Sequence, residues 1–188
     1  NLLYHFPTLF TVIAIRFEQS DWSHFDHHRY LQLLCTPLAL SRVFHVVLAS
    51  FAVAGLALAW IGAAGSLNPP KAPVEPNKNR TDNSNDAPKP RNPATVSALG
   101  GRISLWSTLV QMPVGIWIVL ALPDVQAERI LLGNPLFISA VIVALGLMHQ
   151  LAMLALGDVT KRRLSVSTIL LMAVVLLMTA ALEVSRPV

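Results

Sequence analysis

The sequence predicts an all-α integral membrane protein, a bundle of about four transmembrane helices with a flexible Pro/Asn-rich linker. Three observations lead there. Of 188 residues, 54% are apolar and only 13% are charged, where a soluble domain carries about a quarter charged. Mean hydropathy is +0.56. The apolar residues are gathered into long blocks, which is the pattern of membrane spans rather than of one buried core.

Four blocks are long enough to cross the hydrocarbon, which takes about 20 helical residues. They are residues 43–64, 103–122, 135–156 and 164–182. The first is interrupted only by His45 and Ser50. The third has marked ends. Asn134 is a capping residue, Pro135 suits a first helical turn, and Gly157 follows the last.

Residues 67–100 differ in kind. They hold seven of the thirteen prolines, several asparagines and charges of both signs. No apolar period runs through them, so they are expected to be a flexible linker between a first helix at 41–66 and a three-helix segment at 101–188. Residues 1–40 form a mixed N-terminal segment. Within it, residues 8–15 are too short to cross, and 31–40 suit an interfacial approach to the first span. The opening at Asn1, with no signal-like stretch, suggests a processed or excerpted chain.

Basic residues suggest an orientation. The linker side carries Lys71, Lys78, Arg80, Lys89, Arg91 and Arg102, and the last connection carries Lys161, Arg162 and Arg163. The opposite connection has only Arg129. The positive-inside rule then puts the linker in the cytoplasm and the N-terminal segment outside. Arg16, Arg29 and Arg42 run against this order.

Several function classes fall away. A single cysteine, Cys35, excludes an internal disulfide and any multi-cysteine metal site. The basic linker has no interleaved aromatics, which argues against nucleic acid as a partner. No phosphate loop, nucleophile elbow or zinc-protease motif is present.

Polar groups at membrane depth are costly and mark candidate sites. His45 lies near the outer end of the first span, with Arg42 one turn further out. A strip of small residues follows on its face: Ala49, Ala52, Ala59 and Gly62, with Gly55 at the edge. Such a strip admits a flat neighbour, either another helix or a porphyrin. His45 then either hydrogen-bonds a neighbouring helix or ligates a metal. His149 lies deep in the third span, too far in depth from His45 to share one haem with it. It is an interhelical hydrogen-bonding group or part of a second site. Met178 lies about four residues from the outer end of the fourth span. It is a candidate second axial ligand or a gap-filling core side chain.

The second span carries Ser104, Thr108, Gln111 and Gly115 on one face, with Pro113 among them. That stripe serves helix packing or lines a quinone or proton site. His24, Asp26, His27 and His28 form a solvated loop or a metal cluster.

The stretch at 34–55, LCTPLALSRVFHVVLASFAVAG, resembles subunit I of the cytochrome bd quinol oxidases. There a Pro-containing approach leads into a helix with a Phe-x-His or Val-His pattern, small residues, and a glycine about ten positions on. The family histidine is an axial ligand of a low-spin haem b and matches His45. The resemblance implies haem b on His45, a propionate near Arg42, quinol as a possible substrate and respiratory electron transfer. The family's Gly-Arg-Gln-Pro-Trp signature and long quinol loop have no counterpart here. The chain therefore suits a shortened or partial relative that works with other membrane subunits of a respiratory complex. The competing expectation is a cofactor-free structural or assembly subunit. A small transporter would need an inverted repeat and a charged residue at mid-membrane, and neither is evident.

Overall fold

Every element described by the computed structural model, which covers residues 2–19, 26–67, 93–131 and 134–184, is helical. The order is α1 (Leu2–Gln19), α2 (His27–Leu34), α3 (Pro37–Leu67), α4 (Pro93–Leu120), α5 (Asp124–Leu131), α6 (Pro135–Ala155) and α7 (Lys161–Val184). Four of them, α3, α4, α6 and α7, are long and apolar enough to cross a membrane. They match the four expected blocks.

Their ends differ from the expectation in two places. α3 begins at Pro37 instead of residue 41. The Thr36 hydroxyl explains this: it accepts from the Ala39 N–H at 3.3 Å and donates to the Leu33 carbonyl at 2.7 Å. Pro37 then occupies a position where a missing N–H costs nothing. α4 begins at Pro93, so residues 93–100 of the expected linker are helix. Pro93 again suits a first turn, and the following small residues dock against α3. Residues 68–92, the rest of that linker, lie outside the described residues.

The N-terminal segment also carries more structure than expected. α1 places Val12 and Ile15 at 0% and 4% exposure, with Thr8, Thr11 and Arg16 buried beside them, and it packs on α3. Its apolar part, Pro7–Arg16, is shorter than a span. Asp26 caps α2 by accepting from the Arg29 N–H at 2.9 Å.

α4 sits between α3 and α6, and α7 packs against α6. The α6–α7 connection is a tight turn. Gly157 takes φ +95°, a left-handed conformation that suits glycine. The Asp158 N–H reaches back to the Met153 carbonyl at 3.1 Å and the Gly157 N–H to Leu154 at 3.0 Å, which closes the end of α6 as a Schellman motif. At the other end, Asn134 Oδ1 accepts from the Leu136 N–H at 3.0 Å, as its capping position predicts. Its Nδ2 donates to the Ala181 carbonyl of α7 at 3.1 Å.

The apolar core joins Leu56, Ala59 and Ala63 of α3 to Leu147, Leu151 and Leu154 of α6 and Leu164 of α7. It lies toward the basic end of the bundle. Outward faces are as apolar as the core: Trp106, Ile142, Ile169 and Leu176 are all more than 60% exposed. Exposed apolar area on this scale does not suit water, and it suggests embedding in a lipid bilayer.

Candidate functional site

Three side chains on α4 reach across to three backbone carbonyls on α3. The Ser97 hydroxyl donates to the Ala59 carbonyl at 3.0 Å, Ser104 to Ala52 at 2.7 Å, and Gln111 Nε2 to His45 at 3.3 Å. The donors are seven residues apart, the acceptors are seven residues apart, and the two series run in opposite directions. Seven residues make two helical turns, so one face of each helix stays on its partner, as in an antiparallel coiled-coil seam.

Glycine makes that seam close. A Cβ at Gly55 would lie 2.6 Å from the Ser104 nitrogen and 2.8 Å from the Gly100 carbonyl oxygen. A Cβ at Gly100 would press on the Ala59 nitrogen and lie 2.5 Å from the Gly55 oxygen. Gly101 does the same on the opposite side, where a Cβ would meet the Ala155 nitrogen at 2.8 Å. Adjacent glycines thus let α4 approach α3 and α6 together.

The small-residue strip on α3 is therefore occupied from within the chain. Ala52 and Ala59 are 2% and 0% exposed, and α4 lies on them. With α4 in place, the strip is open neither to a porphyrin nor to a docking helix from another subunit. Ser104 and Gln111 serve this seam, while Thr108 turns back on its own helix and donates to the Ser104 carbonyl at 2.8 Å. α4 runs through Pro113 as one helix.

His45 occupies the end of the seam away from the basic α6–α7 turn. Its position lies about 20° around the helix from that of Ala52, so it points toward the α3–α4 boundary. It is half-buried. Its Nδ1 is buried and has no hydrogen-bond partner among the described residues. Next to it in sequence, the exposed Phe44 ring meets Trp117 of α4, with ring centroids 6.3 Å apart. Arg42, one turn outward, is half-buried and already engages another group.

The other expected site residues lie elsewhere. His149 is exposed on α6, on the face opposite the buried Leu147, Leu151 and Leu154. It shares no site with His45. Met178 is half-buried on α7. The hydrogen bond that joins α7 to α3 runs from Trp60 Nε1 to Thr168 Oγ1 at 3.1 Å. That bond is fifteen residues along α3 from His45, about 22 Å, so it does not fasten Met178 to His45. In the histidine cluster, Asp26 is a helix cap, and His27 stacks near Tyr30 at 6.3 Å. His24 lies outside the described residues. No group of three or more metal-ligating side chains occurs among the described residues.

Ser97, Gly100 and Gly101 are the seam residues that the sequence pattern did not single out: the first two fell in the proline-rich stretch, and Gly101 lay just before the expected second span. The signal was the shared seven-residue spacing of 97, 104 and 111 with 59, 52 and 45.

Chemically, the arrangement offers one imidazole at membrane depth, held by a rigid helix pair and lacking a partner for its buried nitrogen. An imidazole can hydrogen-bond or ligate a metal through either ring nitrogen. Comparison with protein-family models, with curated proteins and with solved structures returned no match.

Proposed function

We propose that the chain is a membrane subunit of a respiratory electron-transfer complex, in which His45 supplies one axial ligand to a haem b. The observation that carries this is the buried, unpartnered His45 Nδ1. A polar atom at membrane depth is costly without a partner, and the α3–α4 seam fixes the backbone from which the imidazole projects. The resemblance of residues 34–55 to the haem-bearing helix of cytochrome bd subunit I supports the same assignment.

A bound haem b would supply one-electron transfer. What the chain supplies is positioning. Gln111 and the glycine contacts hold the His45 backbone. A second ligand would have to come from another helix, for which His149 faces away from His45 and no contact among the described residues ties Met178 to it. The complex resides in a bacterial cytoplasmic membrane, with the Lys161–Arg163 turn in the cytoplasm and His45 toward the outer face. Quinol is the electron donor this reading favours.

The test is a reduced-minus-oxidised optical spectrum of the purified complex. A b-type signal present in the native complex and absent in His45→Ala, with the subunit still assembled, supports the assignment. An unchanged signal sinks it. A cofactor-free structural subunit is the second reading. It is favoured by the closed seam, which leaves no room for a ring on the small-residue strip. Chemical haem analysis of the isolated subunit separates the two.

A further inference from the structure

The basic end of the bundle holds a cavity that His45 and the seam do not use. It is a half-open cleft of about 620 Å³ lined by Gln150, Asp158, Thr160, Arg162, Arg163 and Val166. Its frame is fixed. The Schellman turn at Gly157 closes α6, and Thr160 caps α7 by accepting from the Arg163 N–H at 3.2 Å.

The charges in it are unevenly used. Arg163 is committed to Asp158 at 2.7 Å and to Gln150 Oε1 at 3.5 Å. The Asp158 carboxylate is thereby neutralised. The Arg162 side chain has no hydrogen bond or ion pair among the described residues, and Arg162 follows Lys161 in sequence. The Gln150 amide N–H₂ and the Thr160 O–H remain as donors, because their oxygens are the atoms already accepting. The lining is thus a set of donors around an uncompensated guanidinium.

Its position adds a second constraint. Arg162 lies in the first turn of α7, just before the apolar run that starts at Leu164, which is headgroup depth for a spanning helix. Residues 162, 166, 169, 173 and 176 share one face of α7 by the three-and-four spacing. Beyond Val166 that face is apolar and open, with Ile169 at 65% and Leu176 at 69% exposure. The stripe leads from the cation down an exposed apolar track, the path of an acyl chain below its headgroup.

We infer that this cavity binds the phosphate of an anionic phospholipid. Arg162 is the principal cation, and Arg163, held by Asp158, is the second. An arginine fork matches phosphate oxygens in geometry and charge. Gln150 and Thr160 donate to the remaining oxygens, and one acyl chain lies along Val166, Ile169 and Leu176.

The experiment is native mass spectrometry of the full chain in detergent, titrated with dioleoylphosphatidylglycerol or dioleoylphosphatidylcholine. One phosphatidylglycerol per chain is retained in preference to phosphatidylcholine. Arg162→Gln weakens that retention about tenfold, the usual effect of losing one charge-assisted contact. Val166→Trp fills the cavity at unchanged charge and weakens it equally. Circular dichroism confirms that each variant is folded, and if Arg162→Gln is not, Val166→Trp decides. Equal retention of the two lipids overturns the proposal. So does binding that both variants leave unchanged, or stabilisation by inorganic phosphate alone that matches the lipid.

Discussion

Gln111 Nε2 donates to the backbone carbonyl of His45 at 3.3 Å, the outermost of three bonds that tie α4 to α3. The bond places a side-chain amide on the peptide group of His45, whose position faces the seam. Two residues later Pro113 removes a backbone N–H from α4, so the helix is weakest in its own hydrogen bonding where Gln111 holds it to its neighbour. Gln111→Leu should keep the volume and lose the bond. Interhelical hydrogen bonds in membranes average about 0.6 kcal/mol and reach about 1.7. The variant should lose stability within that range in mixed-micelle unfolding. A loss several times larger would mean that Gln111 satisfies more than the carbonyl.

Gly100 sets a harsher test. Its missing Cβ is the space in which the Ala59 nitrogen and the Gly55 oxygen sit. These are backbone atoms of a helix and cannot turn aside as a flexible side chain does. Gly100→Leu should therefore push α4 away from α3 and break the Ser97 and Ser104 bonds with it. Overpacking costs about 1–3 kcal/mol, and the two lost bonds add to it. Cysteine pairs engineered across the seam at 52 and 104 should crosslink in the native chain and fail to do so in the variant. Gly115→Leu is the control, since nothing lies within 4 Å of a Cβ there, and it should be tolerated.

These contacts explain which parts of the fold were legible in the sequence. The spans were, because transferring some twenty apolar residues into lipid outweighs any local propensity. The cap at Asn134 and the turn at Gly157 were, because each rests on chemistry within a few residues. The start of α4 was not. Pro93, Gly100 and Gly101 suggest a broken chain when each is taken alone. In the fold the proline is a first-turn residue and the glycines are contact points, so their meaning depends on helices distant in sequence. α1 was hidden for a similar reason: Pro7 and Arg16 interrupt its apolar run, while packing on α3 decides its structure. The strip below His45 was visible as a docking surface, but its occupant was not. Two seven-residue series matching in opposite directions would have identified α4.

Asn134 links a local cap to a tertiary contact. One amide accepts from Leu136 at the start of α6 and donates to Ala181 near the end of α7. It is buried, at 7% exposure. Asn134→Ala removes both functions and leaves the Ala181 carbonyl without its side-chain donor. A lost cap costs about 1 kcal/mol and the interhelical bond about 0.6 more. Asn134→Asp keeps the acceptor and loses the donor, so it should recover the capping part only. Unfolding midpoints should rank native, then Asp, then Ala. An Asp variant as weak as Ala would show that the bond to Ala181 carries most of the effect.

The spectroscopic predictions distinguish the three residues that the sequence offered for a haem. His45 projects from the seam with a buried nitrogen that has no partner. His149 is exposed on the face of α6 away from the core, and Met178 is half-buried on α7. If His45 supplies the only ligand from this chain, His45→Ala abolishes the b-type signal in the assembled complex. His149→Leu then leaves band position and intensity unchanged, because its side chain meets none of the groups around His45. Met178→Leu also leaves them unchanged. A shift to a high-spin spectrum in Met178→Leu would instead assign it the second axial position and require α7 to lie closer to α3 in the assembled complex. The seam provides the control for all three. Ser104→Ala sits two turns inward on the same helix pair and removes one interhelical bond, so it should cost stability without altering the spectrum. A signal lost in Ser104→Ala as readily as in His45→Ala would reduce His45 to a structural residue, since any loosening of the seam would then have the same effect.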